Sequence, residues 1–211
     1  MDITWLAHGC FRLRGRYASV VTDPYPPALG PKLPKLEAEL VTVSHHHDNH
    51  SYVQTVVKQP YVIDGPGEYE VAGISVTGVP SFHDSERGAR RGRNTVYVIE
   101  IDEVRVCHLG DLGHRLDDST IEILGNLDVA LVPVGGGGAL DATQAADVVR
   151  QLEPRFVIPM HYAIPEIRKE LEPVERFLRE MGVAEEPQPK LSLQASSAET
   201  DTKVVVLEPR V

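Results

Sequence analysis

Four histidines of this chain stand together at the end of an apolar segment. Nine histidines occur in 211 residues, and the cluster consists of His45, His46, His47 and His50. It follows directly on Val41-Thr42-Val43-Ser44, a β-branched run that predicts a buried strand. The histidines are therefore expected on the loop at the end of that strand, where the sheet holds them rigidly.

Alternation along an extended chain predicts which of these side chains share a direction. Residues two apart point the same way, so His45 and His47 can face one ion while Asn49 and His50 turn toward a second. Neutral imidazole is a common ligand of zinc and other borderline divalent metals. A solvated, histidine-rich turn is the alternative that this cluster alone leaves open.

Three further apolar segments each end in one residue of similar chemistry. They are Val79-Pro80-Ser81-Phe82-His83, Val106-Cys107-His108-Leu109-Gly110-Asp111 and Phe156-Val157-Ile158-Pro159-Met160-His161. Any one of these polar residues, taken singly, is more readily structural than a metal ligand. Four such strand ends together favour a metal site built where the strands end.

The order of the expected elements indicates two packed sheets. Strands are predicted at residues 3–6, 11–13, 18–22, 40–43, 74–79, 95–101, 104–107, 129–132, 156–158, 191–193 and 203–207. Helices are predicted near Tyr52, over 117–124, from Asp141, and over 167–181, where Pro173 kinks or splits the helix. Strands first, followed by alternating helices and strands, favour an α/β (α+β) class, four-layer αββα sandwich over a doubly wound parallel sheet.

Composition narrows the classes of protein further. A chain of this length that is 42% hydrophobic and 25% charged is typical of one globular domain, expected here over residues 1–211. It has no apolar run near the roughly 20 residues of a membrane span and no signal-peptide pattern at its start. The two cysteines are too few for a disulfide framework, which favours a cytoplasmic location. A net charge of -10 argues against a nucleic-acid-binding surface.

These motifs resemble those of the metallo-β-lactamase superfamily, in particular its branch of zinc-dependent hydrolases similar to the bacterial ascorbate-phosphate lactonase. The resemblance begins with Trp5-Leu6-Ala7-His8-Gly9-Cys10-Phe11 and Thr22-Asp23-Pro24-Tyr25 and continues through the histidine cluster, His83 and Gly110-Asp111 to Ile158-Pro159-Met160-His161-Tyr162. It implies a single domain with a metal site at the strand ends between the two sheets.

The resemblance also implies a role for each candidate ligand. The first ion would be held by His45, His47 and His83, the second by His50 and His161, and Asp111 would bridge the two. Zinc is the expected metal, as one or two ions, with manganese or iron left open. Asp23 resembles a carboxylate that supports the histidine loop from behind, and a turn-forming Asp-Pro is its equally weighted alternative.

One position departs from the family pattern. The motif His-x-His-x-Asp-His has Asn49 at its fifth position here, and Asp48 lies one residue out of register. An amide in place of a carboxylate removes one negative charge from the second ion's ligands. Asp48 can compensate through a local backbone change, the second site can be weaker, or its imidazoles can suffice to keep it occupied. We expect a centre that binds metal but depends less on two ions.

Other residues are candidates for contact with substrate. The basic run after His83 supplies Arg87, Arg90 and Arg91, which on a mobile loop can bind a phosphate or carboxylate. A solvated turn is the equally weighted alternative. His114 and His8 are candidate proton donors, and a structural histidine is the equally weighted alternative for each. His46 and His108 are expected not to bind metal. Four glycines, 135–138, predict a loop that forms the pocket floor.

The resulting functional hypothesis is a metal-dependent hydrolase. The resemblance implies attack by a metal-bound hydroxide on an ester, lactone or phosphodiester bond, with Asp111 and His114 as the catalytic candidates, on a small anionic substrate. Antibiotic hydrolysis and nuclease activity are less favoured, and assembly into a homo-oligomer is left open. The alternative is a non-catalytic metal-binding or ligand-sensing protein on the same scaffold.

Overall fold

Two β-sheets contain most of the strands of this protein. The computed structural model describes residues 1–194 and 201–211. In chain order the strands are β1 (Asp2–Trp5), β2 (Phe11–Arg14), β3 (Ser19–Thr22), β4 (Leu36–Glu37), β5 (Leu40–Thr42), β6 (Val56–Val57), β7 (Tyr61–Ile63), β8 (Gly67–Val71), β9 (Ile74–Phe82), β10 (Arg93–Ile101), β11 (Val104–His108), β12 (Val129–Pro133), β13 (Phe156–Met160), β14 (Leu191–Ser192) and β15 (Lys203–Val204). The helices are α1 (Asp118–Leu124), α2 (Ala142–Leu152) and α3 (Val174–Met181).

Strand direction places the ends of several strands at one edge. The first sheet has the order β14-β1-β2-β3-β5-β7 and the second has the order β15-β13-β12-β11-β10-β9-β8. In the first sheet β3 and β5 run parallel, and β1 runs with them because β2 is antiparallel to both β1 and β3. In the second sheet β11, β12 and β13 are parallel, and two antiparallel steps through β10 align β9 with them. The residues that follow these strands can therefore converge.

The inner faces of the two sheets form the larger apolar core. Trp5 and Phe11 of the first sheet and Ile99 and Val106 of the second are fully buried in it. Polar contacts join the sheets beside the histidine loop, since the Tyr97 hydroxyl donates to the Val43 carbonyl at 2.9 Å. The expected sandwich of two mixed sheets with flanking helices is confirmed.

A second apolar core covers the outer face of the first sheet. Val21 and Val41 point into it, whereas their neighbours Val20 and Leu40 point into the larger core, as strand alternation requires. The cover comes from the proline-rich segment 24–34, the β4–β6 ribbon and Ile167. In the described residues this layer contains no α-helix, because all three α-helices come after residue 117.

Two of the helix predictions were wrong in extent. The helix expected near Tyr52 is one 3-10 turn, Val53–Thr55, because the β-branched Val56–Val57 that follow pair with β4 instead. The helix expected over 167–181 begins only after Pro173, which lies at its N-cap. By contrast, α2 begins as predicted with a reciprocal capping box between Asp141 and Gln144.

No helix among residues 1–194 and 201–211 is long and apolar enough to cross a membrane. Both cysteines are buried free thiols.

Candidate metal centre

One buried carboxylate oxygen stands among four histidine nitrogens. The Oδ2 atom of Asp111 lies 3.1 Å from Nε2 of His83, 3.3 Å from Nε2 of His50, 3.5 Å from Nε2 of His161 and 4.0 Å from Nε2 of His45. All five side chains are buried. They follow β5, β9, β11 and β13, so the parallel strand ends bring together residues that are more than 100 positions apart in the sequence.

Hydrogen bonds at Nδ1 fix the orientation of three of these imidazoles. Nδ1 of His50 lies 2.9 Å from Asp23 Oδ2, and Nδ1 of His83 lies 3.2 Å from the Gly138 carbonyl oxygen. Because these acceptors carry no proton, each Nδ1 must donate, and Nε2 is the ring nitrogen left to face a metal ion. Both histidines thus present a metal-binding nitrogen toward Asp111.

The third imidazole, His45, is oriented through a hydroxyl group. The Ser44 hydroxyl donates its single proton to Asp23 Oδ2 at 2.6 Å, so the 3.0 Å contact between Ser44 Oγ and His45 Nδ1 must use the imidazole N–H as donor. Nε2 of His45 therefore keeps its lone pair. Such outer hydrogen bonds are the usual means of orienting metal-binding histidines.

Asp23 is the residue that connects these supports. Its side chain is fully buried and also accepts from the Ser44 amide at 2.7 Å. Burial would raise the pKa of this carboxyl group, but the hydrogen bond from His50 and the other histidines nearby outweigh burial and lower the pKa. The sequence prediction that Asp23 supports the histidine loop agrees with this geometry.

The charges of the centre shift the pKa of its members in opposite directions. Burial would raise the pKa of Asp111, but His161 and His50 lower that pKa well below its ordinary range. Burial would lower the pKa of His50, yet Asp111 and Asp23 raise the pKa to about 9. Burial lowers the pKa of His45 to about 4. Asp111 is therefore an anion that attracts positive charge to this point.

The polar atoms of the centre fit a divalent metal. In the part of the chain that the structure describes, Nε2 of His45, Nε2 of His50 and Oδ1 of Asp111 are buried without a hydrogen-bond partner. Such atoms are costly to bury unless a ligand satisfies them. The donor atoms form two sets, and within each set they lie within 4.8 Å of one another. One set comes from His45, His83 and Asp111, and the other from His8, His50 and His161.

His8 joins the centre from the loop after β1. Its ring contacts His50 and His161 edge-on, with centroid separations of 4.6 and 4.5 Å, and both of its nitrogens lack a partner among the described residues. Burial lowers the pKa of His8 well below its usual range, so the ring is neutral and retains a lone pair. From the sequence, His8 is a candidate for contact with substrate. In the structure it lies with His50 and His161 in the second set of donor atoms.

Two of the expected ligands are not part of either set. His47 is exposed, and its Nδ1 accepts the Asn49 amide at 3.2 Å, so that lone pair is already used. Asn49 is half-buried and lines the cavity in front of Asp111. The proposed roles of His47 and Asn49 as ligands remain predictions.

His114 does not reach the centre. Its Nε2 accepts the Phe82 amide at 3.2 Å, and its Nδ1 lies 2.7 Å from the Arg115 carbonyl oxygen. With both nitrogens bonded to the backbone, His114 braces the loop beside β9. This position does not support the proton-donor role expected for it.

The basic run after His83 contributes one arginine to the site. Arg91 lines the cavity and donates to the Gly137 carbonyl at 3.2 Å, whereas Arg90 pairs with Glu86 on the surface and Arg87 is exposed. The run was expected to be mobile. Within it the Asp84 carboxylate accepts the backbone amides of Glu86, Gly88, Arg90 and Arg91.

The remaining predictions concern the glycine loop and two histidines. The backbone at Gly135 and Gly138 passes so close to His161 and Arg91 that a Cβ atom would collide with them, as expected for a pocket floor. His108 contacts the Gly9 carbonyl oxygen at 2.8 Å, and His46 is exposed beside Asp64. Neither belongs to a donor set among the described residues.

Lys169 is the residue of the centre that sequence reasoning missed. Its Nζ lies 2.9 Å from Nε2 of His161, and its side chain lines the same cavity of about 310 Å³ as His45, His83 and Asp111. It lies in an irregular segment between β13 and α3 that had been predicted as helix. No motif surrounds it, so only the tertiary structure reveals its position.

Comparison with known proteins agrees with this geometry. The sequence pattern described as a β-lactamase superfamily domain matches residues 2–161. A UPF0173 metal-dependent hydrolase of Methanoculleus marisnigri is 32% identical over 84% of this chain and 88% of the relative. This chain belongs to the metallo-β-lactamase superfamily and, within it, to the UPF0173 family.

Two further matches cover nearly the whole chain. A UPF0173 metal-dependent hydrolase of Methanopyrus kandleri is 29% identical over 99% of this chain and 97% of the relative. A crystal structure from Thermotoga maritima, described as a candidate Zn-dependent hydrolase of the metallo-β-lactamase superfamily, matches with a TM-score of 0.80 and 36% identity over 98% of this chain and 99% of that chain.

Proposed function

We propose that this UPF0173 protein is a zinc-dependent hydrolase that cleaves an ester, lactone or phosphodiester bond in a small anionic substrate. The observation that carries the proposal is the approach of four buried histidine Nε2 atoms to one Asp111 oxygen. A structural role alone would not require so many buried nitrogens without partners. The similarity to a candidate Zn-dependent hydrolase supports the choice of metal.

The chemistry of the donor atoms also favours zinc. Imidazole nitrogens with one carboxylate are typical of zinc sites, whereas magnesium and calcium prefer oxygen ligands. A zinc ion supplies, when bound, a nucleophile at neutral pH and a Lewis acid for the scissile group. Manganese and iron are the other metals to be sought in the purified protein.

Residues of this chain would bind and orient the reacting groups. Asp111, His45 and His83 would bind the metal ion at the cavity. Asp23 keeps the imidazoles of His45 and His50 in place. Arg91 at the cavity wall offers a guanidinium group to a carboxylate or phosphate. Each group is fixed before substrate arrives, which lowers the cost of orienting it.

The size and charge of the cavity favour a small anion. A volume of about 310 Å³ is at the lower end of ligand pockets. Arg91 offers positive charge at this cavity in a chain with a net charge of -10, so a small anionic molecule suits the site better than a nucleic acid does. We extend the proposal to a substrate like those of the ascorbate-phosphate lactonase branch, on the motifs that resemble that branch.

The test is a substrate screen with metal-loaded and chelated protein. Chromogenic esters, lactones and phosphodiesters are offered to the wild-type protein and to Asp111→Asn, which keeps the side-chain shape. We expect Asp111→Asn to lose more than about 100-fold in metal affinity, since removing even an outer partner costs about 10- to 100-fold, and to lose turnover.

Retention of metal and turnover by Asp111→Asn would overturn the proposal. If the wild-type protein binds metal and gains thermal stability from it, yet turns over none of the three substrate classes, the non-catalytic alternative is favoured instead.

A further inference from the structure

We infer that the Lys169 ammonium group takes the place of the second cation, so that this centre works with one metal ion. The inference rests on the proposed function, because it concerns how the same centre is occupied. It goes beyond that proposal by assigning a role to Lys169, which lies outside the motifs named above. Three features of the structure carry it.

The first feature is the hydrogen bonding of His161, which is the reverse of that of the other histidines around Asp111. Nδ1 of His45, His50 and His83 donates to the protein, which leaves Nε2 of each ring facing Asp111. At His161 the Nε2 atom accepts from Lys169 at 2.9 Å, and Nδ1 has no partner among the described residues. An ammonium group can only donate, so it uses the lone pair that a metal ion would need.

The second feature is the charge of this side of the centre. Asn49 stands where the family motif has a carboxylate, which removes one negative charge, and Lys169 adds one positive charge. Compared with a centre that has the motif carboxylate at position 49 and no lysine at position 169, this centre is two charge units more positive. A divalent ion is repelled by the ammonium group and has one anionic ligand fewer to hold it.

The third feature is the anchoring of the segment that carries Lys169. The Arg168 amide donates to the Leu29 carbonyl at 2.8 Å, and the Glu172 amide donates to the Gly135 carbonyl at 2.9 Å. The Ile167 side chain is buried in the second core. The backbone is thus held on both sides of Lys169, and the half-buried side chain is directed to His161 by the fold rather than by chance contact at a surface.

The competing occupant is a second metal ion held by His8, His50 and His161, whose donor atoms lie within 4.8 Å of one another. That ion would need a lone pair of His161 and would have to tolerate the Lys169 ammonium group beside it. A count of the bound ions separates the two occupants. Turnover need not be measured.

The experiment measures metal stoichiometry with a spectroscopic readout. Protein is loaded with excess Zn²⁺, freed of loosely held metal by gel filtration and analysed by elemental mass spectrometry. A parallel titration with Co²⁺ follows the visible absorption of the bound ion. We expect one retained zinc per wild-type chain and one saturating step in the cobalt titration.

The same metal count in variants tests the role of Lys169. The double variant Asn49→Asp/Lys169→Ala should retain two zinc ions per chain and show a second cobalt step. Lys169→Arg keeps the positive charge and should retain one. Lys190→Ala removes a lysine that pairs with Asp2 at 2.8 Å on the surface, and as the matched control it should also retain one.

Each outcome has a definite meaning. Two zinc ions in the wild-type protein, or one in the folded double variant, would overturn the role of Lys169. Loss of the single ion in Lys169→Arg would also overturn it, because the lysine would then act as a ligand through its neutral amine. No retained metal in folded wild-type protein would instead overturn the proposed hydrolase function itself. Circular dichroism verifies the fold of every variant.

Discussion

The histidines on the two sides of Asp111 differ in the ring nitrogen that the surrounding protein binds. His45 and His83 each have a hydrogen-bond acceptor at Nδ1, so the opposite nitrogen of each ring is free. His161 has Lys169 at Nε2 and no acceptor at Nδ1 among residues 1–194 and 201–211. Two sides with the same residue type are thus prepared for different partners, a metal ion on one and a protein cation on the other.

The largest change in metal affinity and stability is expected from a substitution of Asp23, because this residue supports histidines on both sides of Asp111. Asp23→Ala removes the acceptor of His50 Nδ1, of the Ser44 amide and of the Ser44 hydroxyl. We expect metal affinity to fall about 10- to 100-fold. The free energy of unfolding should fall by about 1–3 kcal/mol for each buried donor left unsatisfied. Isothermal titration with Zn²⁺ and thermal unfolding measure the two effects.

The control for Asp23 is Asp64→Ala, which removes an exposed carboxylate near the non-ligand His46. It should leave zinc affinity and stability unchanged. Equal losses in the two variants would show that the centre senses only the total charge, and that the hydrogen bonds of Asp23 are unimportant.

A smaller effect, confined to the His45 side, is expected from Ser44. Ser44→Ala removes the acceptor of His45 Nδ1 and leaves the contact of Lys169 with His161 intact. Zinc affinity should fall about tenfold, as for the loss of a single outer partner. Ser51→Ala, which removes a hydroxyl that donates to the His47 carbonyl at 2.8 Å, should bind zinc like the wild-type protein. Unchanged zinc affinity in Ser44→Ala would contradict the inferred orientation of His45.

The smallest effect is expected from Arg91, which stands at the cavity wall beside His83 and Gly137. Arg91→Ala should raise KM for an anionic substrate up to about tenfold with little change in kcat, because an exposed charge contributes modestly to binding. The matched control Arg87→Ala removes an exposed arginine of the same loop and should change neither constant. An equal rise in KM for a neutral substrate would show that Arg91 shapes the cavity rather than binding the anion.

Much of the scaffold could be predicted because strands and their ends leave local patterns. The β-branched run before His45 and the runs before His83, Asp111 and His161 are strands in the structure, and their ends converge. Asp141 and Gln144 likewise identified the start of α2. Each of these signals depends on residues within a few positions of one another, which is why the sequence displays them.

The errors concern residues whose partners are distant in the sequence. Apolar spacing over 167–181 predicted one helix, but Ile167 turns into the second core and the segment up to Pro173 is irregular. The same segment carries Lys169 to His161, which no periodicity could indicate. His114 looked accessible beside Asp111 in the sequence, yet the backbone of β9 occupies its Nε2.

The sequence alone determined the chemistry available to this protein: imidazoles and carboxylates at strand ends, in the order of a known superfamily, with Asn49 in place of a carboxylate. Only the tertiary structure decided how these groups are used, because the orientation of His50, His83 and His161 depends on hydrogen-bond partners from other segments of the chain. Asp23, Gly138 and Lys169 supply those partners from 27, 55 and 8 residues away from the histidines that they contact.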